Sequence, residues 1–253
     1  MIEIIRSWIL FSGKQKRINS ARLRVFPALV VLSALFFGVL FANNTRAEPT
    51  PYSSEEVNGI RKAAYQGYAD AQQLLGVIYL TGLGLPQDDT QANVWFRKAA
   101  EQGNATAQFM LGLSYIEGNG GVPQDYSQAV AWIHKAAVQG YAVAQYTLGL
   151  KYYDGKGVPQ DYSQAEIWYR RAANQGDENA QNNLGLMYAR GEGVPQDYSQ
   201  AYMWINLAAT KGLENAINSR NVLIKKLTSS QIEEGQRLTR EWIAQHPQLH
   251  IAQ

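Results

Sequence analysis

One octapeptide, Val-Pro-Gln-Asp-Tyr-Ser-Gln-Ala, occurs three times without a change, at 122–129, 158–165 and 194–201, with a worn copy at 85–92. A chain that repeats itself at this interval is committed to stacking one supersecondary unit many times. Tryptophans keep the same beat at Trp95, Trp132, Trp168 and Trp204. So do the Leu-Gly pairs at Leu75-Gly76, Leu111-Gly112, Leu148-Gly149 and Leu184-Gly185. One extra residue enters at Gly118-Asn119-Gly120-Gly121, where a loop absorbs it.

Each unit reads as two helices. In the first, Ala144, Leu148, Gly149 and Tyr152 make an apolar stripe at helical spacing, and the other units fill the same slots. A glycine inside a helix costs about 1 kcal/mol against alanine, so its recurrence predicts close approach of a neighbouring backbone. Glycines and a proline then break the chain, and Asp161 caps the second helix with Gln164 three residues on, a capping-box pattern. Asp125/Gln128 and Asp197/Gln200 repeat it. The second helix buries Ala165, Trp168 and Ala172 and stops at Gly176, as its equivalents stop at Gly103, Gly140 and Gly212.

These limits divide the chain into 1–47, a 48–68 capping half-repeat, four repeats at 69–104, 105–141, 142–177 and 178–213, and a 214–253 helical cap and tail. In the cap, Arg220-Asn221 replaces Leu-Gly, and Thr228 with Gln231 predicts one last helix carrying Trp242. The tail from Pro247 is expected to fray. Residues 1–47 hold seven of the 23 Lys/Arg and one of the 21 acids, then an 18-residue apolar run from Val25 to Ala42 and a Thr-Arg-Ala site ending at Ala47. That order predicts a signal peptide cleaved after Ala47, or an uncleaved signal anchor. Both readings export the body to a periplasmic, secreted or envelope-attached location, with the membrane touched only through this segment.

The body, with 16 basic and 20 acidic residues, gives no argument for nucleic acid. No cysteine is present, so thiolate metal sites and cysteine nucleophiles are excluded. His246 and His250 are separated by Pro247, and no nucleophile, base and orienter can be assembled, so the chain reads as a non-enzyme without cofactor or metal. Asp125, Asp161 and Asp197 are explained as caps, and the tryptophans as core.

From Ala144 to Gly176 the chain follows A-x-x-x-L-G-x-x-Y, then G-x-G-V-P-x-D, then A-x-x-W and A-A-x-Q-G, with Arg171 in a lysine slot. It closely resembles the Sel-one-like repeat (SLR) family, relatives of the tetratricopeptide repeats, over 69–213. The resemblance implies an all-α fold, a right-handed α-solenoid of helix-turn-helix repeats, acting as a scaffold that binds a protein or peptide in its groove. Cysteine-rich members are linked to β-lactam binding or hydrolysis, but their cysteine staples are missing here. A cell-envelope enzyme or cell-wall-associated factor (β-lactam or peptidoglycan-related) and a membrane-anchored regulatory protein are the alternatives. The first helices of such superhelices line the groove, and residues 143, 146, 150 and 153 face away from the core stripe. Phe109, Tyr146, Tyr153 and Asn182 on that side are the candidate partner-binding residues.

Overall fold

The computed structural model describes residues 52–249, and the basic–apolar segment 1–47 lies outside them. Eleven α-helices follow one another: α1 (Ser54–Tyr65), α2 (Ala69–Thr81), α3 (Asp89–Glu101), α4 (Ala105–Glu117), α5 (Tyr126–Val138), α6 (Ala142–Asp154), α7 (Tyr162–Asn174), α8 (Glu178–Arg190), α9 (Tyr198–Thr210), α10 (Glu214–Ile224) and α11 (Ser229–Gln245). A 3₁₀ turn at Pro247–Leu249 ends the described chain. No strand occurs among the described residues, and the architecture is the all-α solenoid of helix-turn-helix repeats. None of these helices is long and apolar enough to cross a membrane.

Helices α2 to α9 are all 13 residues long. Uniform length follows from uniform stop signals. The first helices end at Gly82, Gly118, Gly155 and Gly191, all in the left-handed region that only glycine enters at little cost. The second helices begin at Asp88, Asp161 and Asp197, whose carboxylates accept from the third helical N–H. The reciprocal half of a capping box is not made there. Each cap N–H instead donates to the carbonyl of the repeat tyrosine in the preceding helix: Asp88 to Tyr79, Asp125 to Tyr115, Asp161 to Tyr152 and Asp197 to Tyr188, at 2.9–3.0 Å. Among the described residues, full boxes form at the ends, Ser53/Glu56 on α1 and Thr228/Gln231 on α11.

Contacts divide the chain into two compact units that meet between Trp132 and Ile133, inside α5. In the first, α1 packs on α2, α2 on α3, and α3 on α4. Ala64, Leu75 and Trp95 centre its inner cluster. In the second, α6 packs on α7, α7 on α8 and α8 on α9, while α10 and α11 both pack on α9. Its core gathers Ala165, Tyr169, Leu184, Met187, Trp204 and Trp242.

The repeat glycine is required by a side chain more than by a backbone. A Cβ on Gly76 would stand 2.6 Å from the Phe96 ring, and one on Gly149 would stand 2.6 Å from the Tyr169 ring. One on Gly185 would meet Ile205 Cγ1 at 2.5 Å and the Ala201 carbonyl at 2.9 Å. The residue after each of these tryptophans therefore fills a dimple in the helix before it, and Phe96, Tyr169 and Ile205 are all fully buried. Of the tail from Pro247, the described residues 247–249 depart from fraying, since Leu249 packs against the second unit's core.

Candidate protein-binding face

A glutamine follows the repeat alanine in every first helix, and it closes the junction between repeats. Gln72, Gln108, Gln145 and Gln181 are buried, and each Nε2 donates at 3.0–3.1 Å to an alanine carbonyl eight residues back: Ala64, Ala100, Ala137 and Ala173. Those carbonyls sit in the last turn of the preceding helix, where the N–H of the terminating glycine three residues on also donates to them, at 3.0–3.1 Å. The glutamine Oε1 then accepts from the residue that ends the next second helix: Gln102 to Gln72 and Gln175 to Gln145, both at 2.7 Å. Arg97 donates to Tyr115 Oη at 3.0 Å and Arg170 to Tyr188 Oη at 2.5 Å, bracing each junction a second time.

With the junctions fixed, the first-helix slots chosen from sequence divide into two kinds. Phe109 is 4% exposed and Asn182 is 7% exposed. Neither is presented to solvent. α4 buries an unbroken run from Ala107 to Ser114, so its middle has no open side, and α8 packs against α7, α9 and α10. Tyr146 and Tyr153 are half-buried and reach the surface of the second unit. The Tyr146 ring lies 5.9 Å from that of Tyr169, and the nearby Asn183 amide works against the rise in the pKa of both phenols. Tyr153 donates to Glu192 Oε2 at 2.9 Å and accepts from Arg190 Nη1 at 3.0 Å, with its ring 5.1 Å from Tyr162.

The electrostatics suit recognition better than proton transfer. Burial pushes the Tyr146 phenol up, and the nearby Asp177 carboxylate adds to it. Burial raises Tyr153 as well, followed by its bond to Glu192. Tyr169 is driven well above the ordinary range by burial. All three are neutral hydroxyls at physiological pH, able to donate and accept. Asp177 caps α8 by accepting from Ala180 N at 2.8 Å, and burial pushes its carboxyl up to about 6. Among the described residues no three His, Asp or Glu side chains gather as a metal site.

Sequence reasoning missed Asn183, Arg190 and Glu192 on this face. The missing signal was spatial: Asn183 is adjacent to a slot already singled out, and Glu192 lies in a loop read only as a turn. His134 is exposed, with its ring edge-on to Trp168 at 5.5 Å.

The Sel1 repeat profile matches residues 69–104, 105–141, 142–177 and 179–213. The chain belongs to the Sel1 repeat family. Sel1 repeat proteins are generally protein-interaction scaffolds and typically not enzymes. Among solved structures, the chain is similar to a Sel1 repeat protein from Oxalobacter formigenes, at 40% identity with a TM-score of 0.61, over 64% of this chain and 66% of that one. It is also similar to a protective antigen present in uropathogenic Escherichia coli strains and displaying an SLR fold, at 32% identity with a TM-score of 0.53, over 78% of this chain and 50% of that one. It thus spans about two thirds and one half of the lengths of those two relatives. No curated protein matches the chain.

Proposed function

We propose that this Sel1 repeat protein is an exported scaffold that holds a protein or peptide against the first-helix face of its repeats. The observation that carries the reading is the Tyr146–Tyr153 side of α6. Two half-buried aromatics stand there with preset partners, Asn183 behind one and Arg190 with Glu192 beside the other. Aromatic side chains held in place by neighbours lose little rotamer freedom on binding, and such residues dominate interface energies. Tyr146 and Tyr153 are the contact residues of this proposal, whereas Phe109 and Asn182 are buried. Export is supported by the basic–apolar–small order of residues 1–47, the order of a signal peptide or signal anchor.

The face is tested by photocrosslinking in the native envelope from Val143 on α6 and from Ile167 on α7, two residues of similar exposure. Adducts from 143 and not from 167 are expected. Adducts only from 167 would overturn the first-helix assignment. Tyr146→Ala should weaken capture of the crosslinked partner about fivefold, or roughly 1 kcal/mol. N-terminal sequencing of the mature chain tests export, with Glu48 expected first.

A further inference from the structure

The second unit repeats with a strict period of 36 residues, so the junction between α6 and α8 can be laid on that between α8 and α10 slot by slot. In the earlier junction the Tyr153 ring packs on Tyr162, and its hydroxyl is held by Arg190 and Glu192. Thirty-six residues on, these slots hold Ala189, Tyr198, Lys226 and Thr228. Tyr169 beneath them becomes Ile205. Two rings are thus replaced by smaller side chains while the ring floor and the cation are kept.

The consequence is a groove of about 430 Å³ lined by Leu186, Ala189, Arg190, Tyr198, Ile205 and Lys226, within the size range of ligand sites. Its walls are mostly apolar, its charged lining residues are both cations, and no acid lines it. The neighbouring Val222 is 59% exposed, an apolar side chain left on the open rim. One repeat earlier the chain fills the same place with a tyrosine and brings a carboxylate beside it. Here it supplies neither.

We infer that the α8–α9–α10 groove binds a partner-protein segment carrying an aromatic residue, tyrosine above all, flanked by carboxylates. The ring takes the place that Tyr153 occupies one repeat earlier, over Tyr198 and against Ile205. Its hydroxyl and the neighbouring carboxylate meet Lys226 and Arg190, as Tyr153 and Glu192 meet Arg190. Charge complementarity at such a rim sets the choice of partner, and the ring supplies buried area. This assignment rests on the scaffold reading above and gives it a second contact, which shares only Arg190 with the Tyr146–Tyr153 face.

Ala189→Tyr tests it, because that variant refills the groove with the side chain that stands there one repeat earlier. The probe is a fluorescent peptide with one tyrosine between glutamates, titrated by anisotropy against the full chain. The parent is expected to bind it, to bind its tyrosine-to-alanine form at least tenfold more weakly, and to ignore a lysine-flanked form. Ala189→Tyr and Lys226→Glu should each lose at least tenfold while a thermal melt stays cooperative. Should Ala189→Tyr unfold, Lys226→Glu decides alone. No binding by the parent, or equal binding by a folded variant, overturns the groove and leaves the crosslinking result from Val143 untouched. If sedimentation shows a dimer that Ala189→Tyr abolishes, the occupant is a second copy and the proposal falls.

Discussion

Repeats 142–177 and 178–213 share their octapeptide and their Ala-Gln-x-x-Leu-Gly core, and they part company where the stack ends. In the first of the two, Ile167 on the outer side of α7 is 38% exposed; its counterpart Met203 on α9 is 5% exposed. The covering element is α11, which lies on α9 with Gly235 against Tyr202 and Trp242 edge-on to Trp204 at 6.0 Å. The polar junction changes at the same point. Gln145 accepts from Gln175, but the equivalent donor to Gln181 is replaced by Lys211, whose Nζ turns to the Gly176 carbonyl at 2.9 Å. Gln181 Oε1 is left buried without a donor among the described residues. A stack therefore ends by giving up a polar contact on one side and gaining an apolar lid on the other, and the two losses of symmetry occur in one repeat.

The largest expected difference between the two repeats is in their tryptophans. Trp168→Ala and Trp204→Ala should each cost about 3–5 kcal/mol, with Trp204 the costlier because it also loses Trp242. Denaturant melts check the order, and a smaller loss at Trp204 would show that α11 is a weak lid. Next comes the glycine dimple. Gly185→Ala should cost about 1–3 kcal/mol, since its Cβ meets the Ala201 carbonyl and Ile205 backbone nitrogen at 2.9–3.0 Å, which cannot swing away. Gly149→Ala, opposed chiefly by the Tyr169 ring, should cost less, and the same melts report it.

The glutamine junction gives a smaller effect. Gln175→Ala makes Gln145 resemble Gln181, and it should cost about 1 kcal/mol, as for one lost hydrogen bond to a buried group. A neutral result would mean that the stack gives up nothing at Lys211. The last expectation concerns pH. Asp177 titrates at about 6 in the fold against an ordinary 3.8, so the folded chain holds this proton more tightly. Rising pH across that window therefore removes stability through this group. Asp177→Asn keeps a capping oxygen, as Asn104 does at the same slot on α4, and should flatten the stability profile between pH 4 and 7.

Helix number, helix ends and the buried tryptophans were legible because the repeat prints the same signals four times. A glycine after every first helix and an aspartate before every second one leave little choice of boundary. What period alone does not reveal is which neighbour covers a face. Gln72 and Gln145 look like free polar slots until the alanine carbonyl eight residues back and the glutamine thirty ahead are brought beside them. Phe109 sits opposite the core stripe of its own helix, yet the packing around α4 buries it. The docking of α11 on α9 likewise depends on Gly235 and Trp242, which stand outside any repeat.

The hydrogen bond from each cap aspartate to the preceding repeat tyrosine has one more consequence. It spans nine residues at Tyr79–Asp88, Tyr152–Asp161 and Tyr188–Asp197 and ten at Tyr115–Asp125, with the bond unchanged at 2.9–3.0 Å. A buckle of this sort fixes both ends of a strap whatever slack lies between them. Apart from the Tyr188–Asp197 strap, which carries Arg190 and Glu192, the straps are thus natural insertion points, where foreign epitopes, purification handles or spectroscopic reporters are expected to leave the helices on either side in place. The extra residue between Tyr115 and Asp125 is such an insertion already made, and the scaffold keeps its measure across it.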